Sequence, residues 1–271
     1  MKKHSESPRV VNIEGSPSSS NIESTSAKKG IYLLPNVLTT GALFSGFYAV
    51  LLAFSGRYEL SAIAIFAAMI FDGLDGRVAR LTNTQSEFGV QYDSLSDMVS
   101  FGIAPAVVVY GWCLTGLGNL GVAAAFVYAS CAALRLARFN VQSSAADSKH
   151  FSGLPSPAAA ALVAGYIWSV QGLQQSMFLS VLAAVLTAAA GLLMVSNFAY
   201  PSFKQVDLRG KVPFVVILSI AMSLVVVTLD PPRILFLMAI VFAVYPLLLQ
   251  GWRKFRGIEK SISSFFTGRR E

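Results

Sequence analysis

Residues 71–97 read FDGLDGRVARLTNTQSEFGVQYDSLSD and hold four aspartates, Asp72, Asp75, Asp93 and Asp97. The apolar run IAIFAAMI (63–70) precedes the stretch, and Ile103 to Leu114 carry another run beyond it. A carboxylate is expensive in hydrocarbon, so ionisable groups tied to apolar spans mark functional sites by default. The arrangement predicts two membrane helices joined at their polar ends, with the aspartates gathered where they meet.

Apolar runs of similar length recur along the 271 residues, which are 54% hydrophobic and 13% charged. A helix needs about 20 apolar residues to cross the bilayer core. Eight spans are expected: 36–55, 59–80, 94–114, 119–140, 155–171, 177–197, 212–229 and 233–251. The fold class is therefore all-α, a polytopic integral membrane helical bundle with about eight transmembrane helices. Residues 1–29 are Ser-rich and poor in large apolar side chains, and read as a disordered cytoplasmic tail rather than a signal peptide. Residues 30–200 form a six-span domain, 201–252 two additional spans, and 253–271 a basic cytoplasmic tail. Pro105, Pro155, Pro157 and Pro246 lie in or at the starts of spans, where they kink a helix or fix its entry. Cys113 and Cys131 fall in separate apolar runs and read as small buried hydrophobes.

Charge sets the orientation. With both termini cytoplasmic, every Lys and Arg except Arg57 and Arg233 falls on the inner side, as the positive-inside rule demands. Basic loops beside anionic headgroups also account for the net charge of +7, so no nucleic-acid partner is expected. The aspartates then lie at the cytoplasmic face of a cytoplasmic or inner membrane.

Asp72, Asp75, Gly76 and Ala79 are spaced i, i+3, i+4 and i+7, and Gly89, Asp93 and Asp97 are spaced i, i+4 and i+8. Each set is one stripe of a helix. If the stripes face each other, four carboxylates converge and need cations among them or raised affinity for protons. Oxygen ligands without nearby His or Cys suit Mg²⁺ or Mn²⁺, and four aspartates on two helices have room for two such ions. The competing reading is close helix packing by the small residues, with the aspartates paired to Arg77 and Arg80.

The whole string, Asp72-x₂-Asp75-Gly76-x₂-Ala79-Arg80-x₈-Gly89-x₃-Asp93-x₃-Asp97, resembles the signature of the CDP-alcohol phosphatidyltransferases at every position. The resemblance implies transfer from a CDP-linked lipid to an alcohol with release of CMP. It makes Asp72, Asp75 and Asp93 metal ligands, and makes Asp97 both a metal-site residue and the general base. It places Asp75, Gly76, Ala79, Arg80 and Gly89 at the CDP site, and it implies a homodimer.

Three further segments, LLPNVLTTG (33–41), LRLARFN (134–140) and FSGLPSPAAA (151–160), resemble the phosphatidylserine synthase branch. By that resemblance the substrates are CDP-diacylglycerol and L-serine, in a membrane-lipid setting, and the products are phosphatidylserine and CMP. Arg138, with Arg135 and Asn140 nearby, is the candidate for serine or an adjacent phosphate, since Arg grips a carboxylate bidentately. The two arginines read equally well as positive-inside anchors. Asn36 and Thr39 contact the nucleotide or cap a helix, and Ser152 and Gly153 shape a headgroup pocket or only a turn. Glycerol 3-phosphate, an inositol phosphate or choline are alternative acceptors for the same chemistry. A cation- or proton-coupled transporter is the reading from another class, but spans four to eight contain no Asp or Glu to extend an ion path.

Overall fold

A computed structural model describes residues 19–143, 153–198, 200, 218, 222 and 225–267, and every regular element among them is helical. These are α1 (Ser19–Phe54), α2 (Tyr58–Leu81), α3 (Glu87–Asp97), α4 (Ala104–Val109), α5 (Asn119–Ser143), α6 (Ser156–Val170), α7 (Met177–Val195) and α8 (Pro231–Thr267). α3 and α4 belong to one continuous helix, Glu87–Leu117, with π-helical turns at Met98–Ile103 and Tyr110–Leu114. Five stretches are long and apolar enough to cross a membrane: Leu34–Phe54, Glu87–Leu117, Asn119–Val141, Met177–Val195 and Pro231–Gln250. The chain is an integral membrane protein.

These five correspond to the first, third, fourth, sixth and eighth expected spans. The second forms as α2 but carries Glu59, Asp72, Asp75, Arg77 and Arg80. The fifth is α6, apolar but 15 residues long, roughly 22 Å against a core of about 30 Å. Of the expected seventh span, residues 218, 222 and 225–229 are described, all as helical.

Three helix boundaries differ from expectation. α1 begins at Ser19, inside the segment expected to be disordered, because extending a nucleated helix adds a hydrogen bond per residue fixed. The expectation for residues 1–18 lies outside the described residues. α3 begins at Glu87 rather than 94, because Ser86 is an N-cap whose Oγ accepts from Gly89 N at 3.0 Å. α8 runs on through the expected basic tail to Thr267.

The Glu87–Leu117 helix is the axis of the bundle. Its apolar window is 61% buried, against 33% for Leu34–Phe54, and it touches α1, α2, α5, α6 and α7. Around it α1 packs along α2, α5 along α7, and α6 against α2 and α8. Phe101, Ala104, Val108, Val109 and Leu114 of the axis are buried in the core with Ile65, Tyr128, Val163 and Ile167, and both cysteines are buried and free. Pro105 has no N–H to give the Phe101 carbonyl, and the Tyr128 hydroxyl donates to that oxygen at 2.9 Å instead. α1 ends in a Schellman turn, with Gly56 at φ 70° and Arg57 N bonded to Leu52 O at 2.9 Å, which sends α2 back along α1.

α1 meets the axis by backbone contact. A Cβ at Gly46 would lie 2.5 Å from Ser100 Cα, so the two helices cross where a side chain has no room. Gly46→Ala is expected to cost about 1–3 kcal/mol by overpacking, read as a lowered thermal unfolding midpoint in detergent. An unchanged midpoint would show that α1 and the axis separate freely at this crossing.

Candidate active site

The chain between α2 and α3 is five residues long and strongly determined. Asn83 takes a left-handed conformation at φ 52°, Thr84 N reaches back to Ala79 O at 3.0 Å, and Thr82 Oγ1 donates to Val78 O at 2.7 Å. Asn tolerates that backbone region better than most residues, so α2 ends here and α3 returns beside it. The two carboxylate stripes then face one another. One ligand oxygen from each of Asp72, Asp75 and Asp93 lies within 4.8 Å of the others, and Asp97 comes within hydrogen-bonding reach of Asp72.

α1 forms the third wall. Asp75 is buried, and its Oδ2 lies 2.6 Å from the buried Thr39 hydroxyl, which also contacts Pro35 O at 3.0 Å. Ser96 Oγ donates to Thr39 O at 3.1 Å and Ser100 Oγ to Ala42 O at 3.0 Å, one on each side of Asp97 in sequence. Thr40 and Tyr92 pair through their hydroxyls at 2.9 Å. Asn36 Oδ1 sits 3.7 Å from where a Cβ on Gly89 would lie.

Gly76 separates the two readings of the small residues. It is exposed, and among the described residues a Cβ there would meet only the Arg80 side chain, at 4.0 Å. Helix packing therefore does not require glycine at that position. Arg80 Nε donates to Gly76 O at 2.7 Å, folding the guanidinium over this open patch. Ala79 is half-buried on the same stripe.

α5 closes the other side. Arg135 is half-buried and faces Asp97 and Asp72 electrostatically, while its Nη1 donates to Ser156 Oγ at 2.7 Å. Arg138 points elsewhere, donating to Asn197 Oδ1 at 3.1 Å. Asn140 ties α5 to α3 through Ser94 at 2.9 Å and Gln91 at 3.3 Å. Gly153 is a turn residue at φ 92°, bonded through its N–H to Phe198 O at 2.8 Å. Ser152 lies outside the described residues. Like charges this close need a proton or a cation between them, and an all-oxygen donor set fits a hard divalent ion.

The sequence profile of the CDP-alcohol phosphatidyltransferases matches residues 32–195, well over half of the chain. The chain belongs to that family. It is 39% identical over 203 residues to a CDP-diacylglycerol–serine O-phosphatidyltransferase of Helicobacter pylori, covering 73% of this chain and 83% of the relative. A protein of the same name in Methanocaldococcus jannaschii is 34% identical over 218 residues, covering 80% and 94%. The archaetidylserine synthase of Methanothermobacter thermautotrophicus is 34% identical over 170 residues, covering 62% and 69%. In this phosphatidyltransferase the family match takes in α2 to α7 with the apolar part of α1, and α8 lies beyond it.

Sequence reasoning missed Ser96, Ser100, Tyr128, Ser156 and Asn197. Each acts across a long sequence separation on a carbonyl or another side chain, and no local period announces such a partner. Ser86 and Asn83 did leave a signal, a cap residue and a turn residue bounding a polar stretch.

Thr39→Val keeps the shape of the side chain and deletes the donor to Asp75. A hydrogen bond to a charged group is worth about 1.5–3 kcal/mol, so affinity for a divalent cation is expected to fall roughly tenfold. Titration of the purified variant by calorimetry checks this, and Thr39→Ser should restore binding.

Proposed function

We propose that this chain transfers the phosphatidyl group of CDP-diacylglycerol to the hydroxyl of L-serine, giving phosphatidylserine and CMP. The observation that carries the reading is the convergence of Asp72, Asp75, Asp93 and Asp97 between α2 and α3. The serine synthase names of the relatives from Helicobacter pylori and Methanocaldococcus jannaschii support the acceptor.

In this reading Asp72, Asp75 and Asp93 hold one or two divalent ions, Mg²⁺ or Mn²⁺, with Asp97 completing the set. Bound there, the metal supplies neutralisation of the pyrophosphate charge and of the departing CMP. Asp97 takes the proton of the serine hydroxyl, which is a weak nucleophile until deprotonated. The serine oxygen attacks the lipid-bearing phosphorus, the bond to the bridging oxygen breaks, and CMP leaves with that oxygen. Asn36, Thr39, Gly76, Ala79, Arg80 and Gly89 form the nucleotide side, where the open space over Gly76 lets a ligand approach the backbone. Arg135, rather than Arg138, is the guanidinium placed for the carboxylate of the acceptor, because it shares the site with Asp97. The site faces the cytoplasm, on the support of the cations Arg77, Arg80, Arg135 and Arg138 gathered at the same end of the bundle.

The test uses purified protein, CDP-diacylglycerol and a divalent ion, with CMP release followed as serine, glycerol 3-phosphate, an inositol phosphate or choline is supplied. Serine alone should support turnover, and release with a different acceptor in its place would overturn the substrate. Asp97→Asn is expected to lower turnover by about 10²–10⁴-fold, the usual range for a general base. Chelation with EDTA should abolish CMP release and added Mg²⁺ or Mn²⁺ restore it. Turnover that survives EDTA would remove the metal from the reaction.

A further inference from the structure

The entry of α6 is determined far more tightly than a loop into a span requires. Gly153 adopts φ 92° against the carbonyls of Met194 and Ser196, where any side chain would collide. Its N–H bonds Phe198 O at 2.8 Å, Leu154 N bonds Leu193 O at 2.9 Å, and the Leu154 side chain is completely buried. Pro155 then fixes the backbone at φ −56° as the N-cap of α6. The first residue delivered by this device is Ser156, itself completely buried, and its Oγ accepts from Arg135 Nη1 at 2.7 Å.

Arg135 needs such a partner. Its guanidinium bonds Ser156 and interacts electrostatically with two carboxylates, Asp97 and Asp72, and an Arg side chain has about 2 kcal/mol of rotamer entropy with which to wander. Left free, it would fold onto Asp97 and neutralise the group that has to accept a proton. Held at Nη1, it still has the other N–H groups of a planar fork to offer a carboxylate. We infer that Ser156 is a positioning residue that aims Arg135 at the acceptor, so that the turn pinned to α7 sets acceptor affinity without touching the acceptor. The inference rests on the proposed transfer to serine.

The test compares Ser156→Thr with Ser156→Val, which are equal in size, so any packing cost cancels and the difference reports the hydroxyl alone. The expected result is a KM for serine about tenfold higher in Ser156→Val than in Ser156→Thr. The KM for CDP-diacylglycerol should match between the two. On an Arg135→Lys background the same pair should differ by less than about twofold, because Ser156 acts through the guanidinium. Equal serine KM values for the two variants would overturn the inference, as would a shift of both substrates together. A wild type that turns over another acceptor instead of serine would overturn the proposed function, and the pair measured on that acceptor would still decide the role of Ser156.

Discussion

Three carboxylates with ligand oxygens inside a 4.8 Å circle, and a fourth in contact with one of them, repel one another. At an effective dielectric near 20, two unit charges at that separation cost about 3 kcal/mol. No local interaction in α2 or α3 favours bringing them together, so the rest of the fold has to hold them. The restraint is mechanical. Asn83 and Ser86 turn the chain in five residues, and Ser96 and Ser100 fasten α3 to the backbone of α1. Beyond Asp97 the axis helix enters the most buried part of the bundle, where Tyr128 takes the carbonyl that Pro105 cannot serve. A site that resists its own charge is stable only on a scaffold whose helices cannot slide apart.

The walls of the site divide by origin. The hairpin of α1 and α2 with α3 presents the aspartates, Thr39, Asn36 and the open patch over Gly76. α5 and α6 present Arg135 and Ser156, while Arg138 is turned to Asn197 beyond α7. The two halves meet at Asp97, which touches Asp72 from one half and faces Arg135 from the other.

How much of this could be read in advance depends on the range of each signal. The stripe Asp72, Asp75, Gly76, Ala79 and the stripe Gly89, Asp93, Asp97 were legible because helical spacing is local, and each set does lie on one helix. The membrane class was legible because apolar run length is a property of composition. The boundaries were less so: α3 starts at Glu87 because a serine side chain outcompetes the polar character of its first turn. Which of Arg135 and Arg138 faces the aspartates was not legible at all. Both are one turn apart at the same helix end, and their partners, Ser156 and Asn197, come from α6 and the segment after α7.

The glycines divide into two kinds. Gly46, Gly165 and Gly191 are closed positions, where a Cβ would lie 2.5 Å from Ser100 Cα, 3.1 Å from Phe236 Cα and 2.9 Å from Tyr128 Cα. They let helices touch backbone to backbone, the usual role of small residues in membrane bundles. Gly76 and Gly73 are open, with no protein atom nearer than 4.0 Å to an added Cβ at the first and none within 4 Å at the second, among the described residues. In sequence Gly46, Gly165 and Gly191 sit in largely apolar stretches, whereas Gly73 and Gly76 fall among the charged residues Asp72, Asp75, Arg77 and Arg80. Among the described residues no atom of another helix lies within 4 Å of a Cβ added at Gly73 or Gly76, each one residue after an aspartate. Both positions lie beside the aspartates because α3 turns back at Asn83, and the Arg80 guanidinium, bonded to the carbonyl of Gly76, lies at the edge of the patch.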